Sequence, residues 1–246
     1  LCTVTVEGAA RALGVERAPN VPTHSLISLT DLSRRGYLPV SFLSNADRRA
    51  IVDGLVSQRP RSQILVGNGA STEYITSAAA EFAQNNHYPL QFLQLDIEFL
   101  QRGTSSFHEV AQRLDAIFAL VDAHNSSVES LLASRPSPGG FASYGPASPL
   151  PTAAESRIVL VIPRIERIIG GDNDLGKALG ERMRSAITTN RILALGTTSQ
   201  ANVRSIDNSF PDIVSYTDRR SIREPEVDSP EFHQELAYHV AAVEQL

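Results

Sequence analysis

Lysine is almost absent from this chain of 246 residues. Lys177 is the only lysine among 22 basic side chains, and the others are arginines. Codon usage in a GC-rich genome explains this bias without invoking function. Whatever the cause, any mechanism that requires a catalytic lysine has to use Lys177, which falls on the predicted helix at 173–188. We expect Lys177 to be an exposed helix residue with no catalytic role.

Cysteine is also scarce, and the chain has no net positive charge. Cys2 is the only cysteine, which excludes a disulfide within the chain and any dependence of the fold on an oxidising compartment. The net charge of −5 argues against sequence-independent binding to nucleic acid, because such binding needs a basic surface. No apolar run approaches the roughly 20 residues of a membrane helix, and no signal peptide is evident. We therefore expect a cytoplasmic protein, and interpret Leu1 as the start of a processed chain or of a piece of a longer one.

Short apolar runs alternate with amphipathic segments along the rest of the chain. Hydrophobic residues make up 42% of it, which is ordinary for a globular domain. Runs without polar alternation are typical of parallel strands buried on both faces. The predicted strands are 63–66, 90–95, 158–162 and 192–195, with 213–216 as a candidate last strand. This alternation predicts an α/β fold with a doubly wound parallel sheet and helices on both faces.

The helices and irregular segments are predicted from periodicity and from Pro, Gly and Ser content. Residues 1–25 are a lead-in with a short candidate helix at 4–15. The segment 134–156 contains five prolines and many Ser, Gly and Ala residues, so we expect a flexible surface insertion. The predicted helices are 28–36 with Gly36 as C-cap candidate, 44–58 with Ser44 or Asn45 as N-cap, 72–84, 106–122, 173–188 and 232–246.

The order of several short segments resembles the first ATPase domain of the Clp/Hsp100 unfoldases, a branch of the AAA+ family. The resemblance begins at residues 29–36 with the following Leu38-Pro39-Val40. It continues in register to Arg223-Glu224-Pro225, through 47–55, 64–70, 93–100, 107–114, 158–162 and 193–198. Each piece is a weak signal, but their common order favours an AAA+ large subdomain over residues 26–246. The helical lid of the family is expected to be missing or truncated.

The resemblance places the phosphate-binding loop on a stretch that lacks its chemistry. A P-loop needs G-x-x-x-x-G-K-[ST], in which backbone N–H groups wrap the phosphates and the lysine neutralises them. The second essential glycine is absent, and the lysine position falls on Thr72 or Glu73. The corresponding residues are Gly67, Asn68, Gly69, Ala70, Ser71, Thr72 and Glu73. A carboxylate at that position repels phosphate, and Phe42 is expected to fill the space where the family's glycine admits the base.

The other nucleotide-binding positions of the family are also altered. The Walker B strand should be followed by Asp-Glu but is followed by Pro163-Arg164, and Glu166 is expected to be a solvated residue beyond reach of the chemistry. Thr197 and Thr198 match the end of the sensor strand, where a threonine can orient water, but without the Walker residues a strand cap is the better explanation. Arg219 and Arg220 form a candidate arginine finger or a solvated basic turn. The expected pore loop, Gly103-Thr104-Ser105-Ser106, carries no aromatic residue to grip a polypeptide.

Other chemistries have less support in the sequence. The six histidines show no zinc-ligand spacing, and G-x-S-x-G, the signature of a hydrolase elbow, does not occur. Gly67-Asn68-Gly69 is a fragment of a dinucleotide fingerprint without its third glycine. Asp96 and Glu98 are a candidate carboxylate pair, although Asp96 is better explained as a polar cap at a strand end.

The sequence therefore predicts a catalytically inactive Clp-like domain with no cofactor and no metal. Its expected role is structural, assembly or regulatory, through protein contacts with itself, with an active AAA+ subunit or with a larger machine. The alternative is an ATPase or chaperone subunit that binds ATP and Mg²⁺ in a non-standard site. A third hypothesis is a monomeric adaptor that binds peptides.

Overall fold

The computed structural model describes residues 25–38, 43–57, 59–67, 72–104, 106–134, 151–169 and 174–222, together with His233. These residues form a six-stranded sheet in the order β1-β3-β4-β5-β2-β6. The strands are β1 (Leu26–Ser28), β2 (Ser62–Gly67), β3 (Leu90–Leu95), β4 (Arg157–Ile162), β5 (Leu193–Ser199) and β6 (Thr217–Ser221). All neighbouring pairs are parallel except β1 with β3, which is antiparallel.

Helices cover both faces of the sheet. They are α1 (Leu29–Arg34), α2 (Asn45–Val56), α3 (Thr72–Asn85), α4 (Ile97–Gln101), α5 (Phe107–Ser134), α6 (Asp174–Thr188), α7 (Val203–Ser209) and α8 (Pro211–Tyr216). Helices α1 to α3 pack on one face, and α4 to α8 pack on the other. Alternate residues of β4 contribute to the two layers: Leu160 belongs to one core and Val161 to the other. This two-sided burial confirms the doubly wound α/β fold.

Local signals set several helix ends, and among them the predicted caps Ser44 and Gly36 are confirmed. The hydroxyls of Ser28 and Ser44 accept the backbone N–H groups of Asp31 and Asp47 at 3.1 Å, so each serine is an N-cap. Gly36 takes a φ of +69° after α1. The N–H of Gly36 bonds the carbonyl of Ser33 and the next N–H bonds that of Leu32. These two bonds form a Schellman motif, which requires the left-handed conformation that glycine adopts without strain.

The end of the described sheet differs from the prediction. Residues 213–216, expected to be a strand, belong to α8, and the last strand is β6. Pro211 stands at the first helical position, where its fixed φ suits a helix and its missing N–H has no cost. An apolar run of four residues does not distinguish strand from helix, so the proline decides.

Three further expectations need correction. The antiparallel edge strand β1 was not predicted, because it has only three residues and α1 follows it directly. Helix α5 does not end at 122 but continues to Ser134. Within the expected insertion, Ala153–Glu155 forms a 3₁₀ turn, with Thr152 and Glu155 in a capping box. The predicted helix at 4–15, residues 135–150 and, apart from His233, the closing helix at 232–246 lie outside the described residues.

Candidate functional site

The carboxyl ends of the parallel strands form one edge of the sheet, which is where open α/β sheets bind their ligands. Strand β2 lies between β5 and β6 and ends at Gly67, paired with Ser199 of β5. Helix α3 begins at Thr72. The predicted phosphate-loop position therefore lies in a strand-to-helix connection. Its residues Asn68, Gly69, Ala70 and Ser71 lie outside the described part of the chain, as do the side chains of Thr72 and Glu73.

Arginine occupies the end of the strand where the resemblance calls for acidic residues. Strand β4 ends at Ile162, and Pro163 and Arg164 follow in a turn. Arg164 is exposed and has φ of 50° and ψ of 57°, a left-handed conformation uncommon for a residue with a side chain. Its backbone N–H donates to the Oγ1 atom of Thr197 at 3.1 Å. The sensor-like threonine thus holds the turn that carries the arginine.

Glu166 is the residue of this edge whose surroundings the sequence did not reveal. It was expected to be solvated, but it is half-buried in the 3₁₀ turn Ile165–Arg167, and its Oε1 atom accepts from Asn202 at 3.0 Å. Its Oε2 atom is buried and has no hydrogen-bond partner among the described residues. The same holds for the hydroxyl of Thr198, which is 1% exposed. Asn202 lies 36 residues from Glu166 along the chain, so no local pattern predicts the contact.

Thr198 and Glu166 lie on the same side of the sheet. Gly196 and Thr198 are alternate residues of β5 and therefore share a face. Ile165, the residue before Glu166, covers Gly196 so closely that a Cβ there would lie 2.7 Å from its Cδ1 atom. Two buried oxygens, one of a carboxylate and one of a hydroxyl, thus lie above the end of β5 without a hydrogen-bond partner in the described part of the chain.

The two candidate finger arginines lie on β6 rather than on a turn. Arg219 binds Asp207 of α7 through both terminal nitrogens, at 3.2 and 2.5 Å. These hydrogen bonds hold the pKa of Asp207 below its ordinary value of 3.8. Arg220 donates from Nε to Gln63 of β2 at 3.2 Å, and the Gln63 amide donates to the carbonyl of Ile51 in α2 at 2.9 Å. Both arginines therefore have partners within the domain.

The remaining candidate residues are distributed over separate places. Asp96 caps α4 by accepting the N–H of Phe99 at 2.9 Å, whereas the exposed Glu98 pairs with Arg167 at 3.4 Å, so the two carboxylates do not act as a pair. Gly103 has a φ of +69° in a turn before α5, and Ser105, two residues later, lies outside the described residues. Phe42 lies outside them as well.

Lysine and histidine do not converge on this edge. Lys177 is exposed on α6, as predicted. His124 is buried on α5, where a ring nitrogen lies 2.8 Å from the carbonyl oxygen of Ser156. Within the described ranges, no group of three or more His, Cys, Asp or Glu side chains is placed to hold a metal ion. Among the helices that are described, none has both the length and the apolar character needed to cross a bilayer.

Comparisons with known proteins show which structures have a similar fold. No protein-family model matches the chain, and no curated protein does. Solved structures of Hsp104 resemble it. The closed-state cryo-EM structure of Hsp104 with ATPγS and FITC-casein has a TM-score of 0.63 at 16% identity, over 87% of this chain and 32% of that one. The S. cerevisiae Hsp104–ADP complex has a TM-score of 0.61 at 15% identity, over 88% of this chain and 26% of that one. The S. cerevisiae Hsp104–casein complex in its extended conformation has a TM-score of 0.60 at 16% identity.

The chain therefore has an α/β fold that is similar to part of the Hsp104 structures. At 15–16% identity the likeness concerns the fold alone. The chain spans about a third or less of the Hsp104 chains that it resembles.

Proposed function

We propose that this chain is a catalytically inactive Hsp100-like domain that acts as a structural, assembly or regulatory component through protein contacts. The observation that carries the proposal is the position of Arg164. This residue follows the carboxyl end of β4, and its backbone N–H donates to the hydroxyl of Thr197. A magnesium ion in a nucleotide site is held by carboxylate and hydroxyl oxygens together with the phosphates. A guanidinium at the carboxylate position repels the metal instead.

The distribution of lysine supports the same proposal. The P-loop lysine neutralises the outer phosphates and is part of the binding site for them. The only lysine of this chain is Lys177, an exposed residue of α6, and α6 follows β4 rather than β2. No side chain of this type is therefore available from the connection that follows Gly67.

Calorimetric titration with ATP and Mg²⁺ tests the inactive site. We expect no heat of binding and no rise of the unfolding temperature at millimolar nucleotide. The same titration with ADP controls for a site that accepts only the product. Binding of either nucleotide at micromolar affinity, which corresponds to about 8 kcal/mol, would overturn the proposal and make hydrolysis the next assay.

The expected partner is a second copy of the chain, an active AAA+ subunit or a larger machine, and the expected location is the cytoplasm. Sedimentation velocity over a wide range of protein concentrations measures self-association, and the same experiment with an added active Hsp100 subunit measures mixed assembly. Assembly in either experiment supports a structural role. A monomer that does not join the active subunit but captures peptides would instead support the adaptor hypothesis.

A second candidate function, an ATPase with a non-standard site, is favoured by Glu166. The carboxylate oxygen Oε2 and the Thr198 hydroxyl are both buried without described partners beside the carboxyl edge of β5. In this hypothesis Glu166 supplies the acid that Pro163 and Arg164 do not. The variant Glu166→Gln keeps the shape and the bond with Asn202 but removes the charge. Loss of nucleotide hydrolysis in this variant, with retained folding, would establish the second candidate, and an inactive parent chain would exclude it.

A further inference from the structure

Strand β6 forms one edge of the sheet, and among the described residues its outer side has no paired strand. It lies last in the order of the sheet and pairs with β2 alone. The N–H of Ile222 donates to the carbonyl of Val66 at 2.8 Å, and alternate residues of a parallel strand bond the same neighbour. The backbone groups of Arg220 therefore turn toward β2, and those of Arg219 and Ser221 turn outward. An open edge of this kind is a template for another strand.

Exposed side chains flank this edge. Both outward residues, Arg219 and Ser221, are exposed. Val214 and Tyr216 of α8, which precede β6 directly, are 40% and 50% exposed. Large apolar side chains beside an open edge provide surface that association removes from water, and this removal is favourable. Backbone donors and acceptors thus lie next to apolar side chains at this end of the domain.

The charges of β6 are unevenly compensated within the domain. Arg219 is neutralised by Asp207, which it binds through both terminal nitrogens. Asp218 forms a 3.2 Å ion pair with the arginine that precedes β2, and 41% of its side chain stays exposed. Arg220 donates from Nε to the neutral amide of Gln63 and has no carboxylate partner among the described residues. Its guanidinium therefore remains a positive charge that an acidic group of a partner can neutralise.

We infer that β6 pairs with β6 of a second copy of this chain, antiparallel and about a twofold axis at Arg219. In this register the ladder extends from Thr217 to Ser221 of the second copy. Asp218 faces Arg220 of the second copy, and by symmetry the same pair forms again on the other side of the axis. Opposite charges directly across an antiparallel ladder are favourable. Such a dimer rests on the assembly role proposed above and gives that role a partner and a surface.

The backbone and the charges favour this register over its neighbours. An axis between two residues would place outward backbone groups against groups that already bond β2. An axis at Asp218 opposes two carboxylates, and an axis at Arg220 opposes two guanidinium groups that lack carboxylates, both of which are unfavourable. At Arg219 the two opposed guanidinium groups are each neutralised by their own Asp207. The charge repulsion that usually keeps edge strands apart is thus compensated at this axis.

Two charge variants and their mixture test the pairing by sedimentation velocity. Asp218→Arg puts arginines at both facing positions, and Arg220→Asp puts aspartates at both. We expect the parent chain to form a concentration-dependent dimer. Each variant alone should dimerise about tenfold more weakly, since both cross-strand pairs become repulsive. An equimolar mixture opposes arginines to aspartates and should recover the association of the parent chain. Glu98→Arg, which breaks the exposed ion pair with Arg167 on α4, is the matched control and should dimerise as the parent chain does.

A cysteine at the axis tests the register. Opposed residues whose backbones bond each other have Cα atoms about 5.5 Å apart, which a disulfide can span. In the Cys2→Ser background, Arg219→Cys should therefore cross-link on oxidation. Ser221→Cys, which lies roughly 14 Å from its copy in this register, should not. Circular dichroism verifies that each variant folds.

Three results would overturn the pairing: a parent chain that stays monomeric, variants that dimerise as the parent chain does, or a mixture that recovers no association. The nucleotide titration separates this failure from failure of the proposed function. A chain that binds neither nucleotide nor its own copy is inactive but does not pair through β6. A chain that binds ATP and still cross-links at position 219 pairs through β6 and overturns the inactive site alone.

Discussion

The backbone N–H of Arg164 and the side-chain Oγ1 of Thr197 form a 3.1 Å hydrogen bond across the ends of two neighbouring strands. Arg164 is held in the left-handed region, which costs a residue with a side chain of the order of 1–3 kcal/mol. Thr197 is completely buried, so the acceptor is sheltered from water. The turn that replaces the acidic motif is thus fixed by a residue of the next strand in the sheet.

Replacing Thr197 by valine tests this bond. The two side chains have nearly the same shape, but valine has no acceptor, so the Arg164 N–H loses its partner. We expect Thr197→Val to lower the free energy of unfolding by about 1–2 kcal/mol in urea denaturation. Thr197→Ser keeps the acceptor and should lose less. A Thr197→Val variant as stable as the parent chain would show that the bond contributes nothing.

A methyl group at Gly180 is predicted to destabilise the domain, although alanine usually stabilises an exposed helix position by up to about 1 kcal/mol relative to glycine. A Cβ on Gly180 would lie 2.6 Å from the ring of Phe210 and 3.2 Å from the carbonyl oxygen of Ile168. We expect Gly180→Ala to lower the free energy of unfolding by about 1–3 kcal/mol through overpacking.

Two further variants separate overpacking from a general effect on helix α6. Ser185→Ala changes an exposed position of the same helix and should be neutral or slightly stabilising. Adding Phe210→Leu to Gly180→Ala removes the aromatic ring that the methyl group would meet. If the double variant recovers no stability relative to Phe210→Leu alone, the contact with Phe210 is not the cause.

Asn125 connects the long helix α5 to the beginning of β4. Its amide donates to the carbonyl of Ile158 at 3.0 Å and accepts the N–H of the same residue at 2.7 Å. Alanine leaves both buried backbone groups without this partner, so we expect Asn125→Ala to cost about 2–3 kcal/mol of unfolding free energy. Ser126→Ala, at the adjacent exposed position, is the control. A loss no larger than that of the control would contradict the prediction.

The bridge between Asp207 and Arg219 predicts an acid-dependent contribution to stability. Hydrogen bonds from Arg219 lower the pKa of Asp207 in the folded protein below the ordinary 3.8. A lowered carboxyl pKa stabilises the folded state above the unfolded value, and this stabilisation is lost as the pH falls through the folded value. We expect Asp207→Asn to reduce stability at about pH 6, with the difference from the parent chain vanishing toward about pH 2.

The Arg219→Gln background is the control for this prediction. Without the guanidinium, Asp207→Asn should change the free energy of unfolding by the same amount at about pH 6 and at about pH 2. Urea denaturation of the four variants at each pH measures the coupling. Because both side chains are at the surface, the effect is expected to be small and to shrink with added salt.

Much of the architecture follows from local patterns. Strand β4 contains an unbroken apolar run of five residues and β2 a shorter one of three, and Ser44 and Gly36 mark helix ends through chemistry that acts within a few residues. The predictions of strands failed where the apolar segment is short. The run 213–216 suits either a strand or a helix, and β1 has only three residues.

Less of the candidate site than of the fold could be predicted from the sequence. The absence of lysine from the phosphate-loop position and the replacement of acids by Pro163 and Arg164 are visible in the chain itself. The bond of Glu166 with Asn202 and that of Arg164 with Thr197 are not, because their partners are 36 and 33 residues apart. No periodicity connects such positions.

The order of residues alone is thus enough to predict a sheet buried on both faces. It also shows that the chemical groups of a standard nucleotide site are not at their expected positions. Both conclusions are possible because burial patterns and residue identity are local properties. The folded chain decides the rest: the antiparallel edge at β1, the placement of Arg219 and Arg220 on a strand, and the contact of Glu166 with Asn202. These features depend on which distant segments pack together, and that choice minimises the free energy of the whole domain rather than of any one segment.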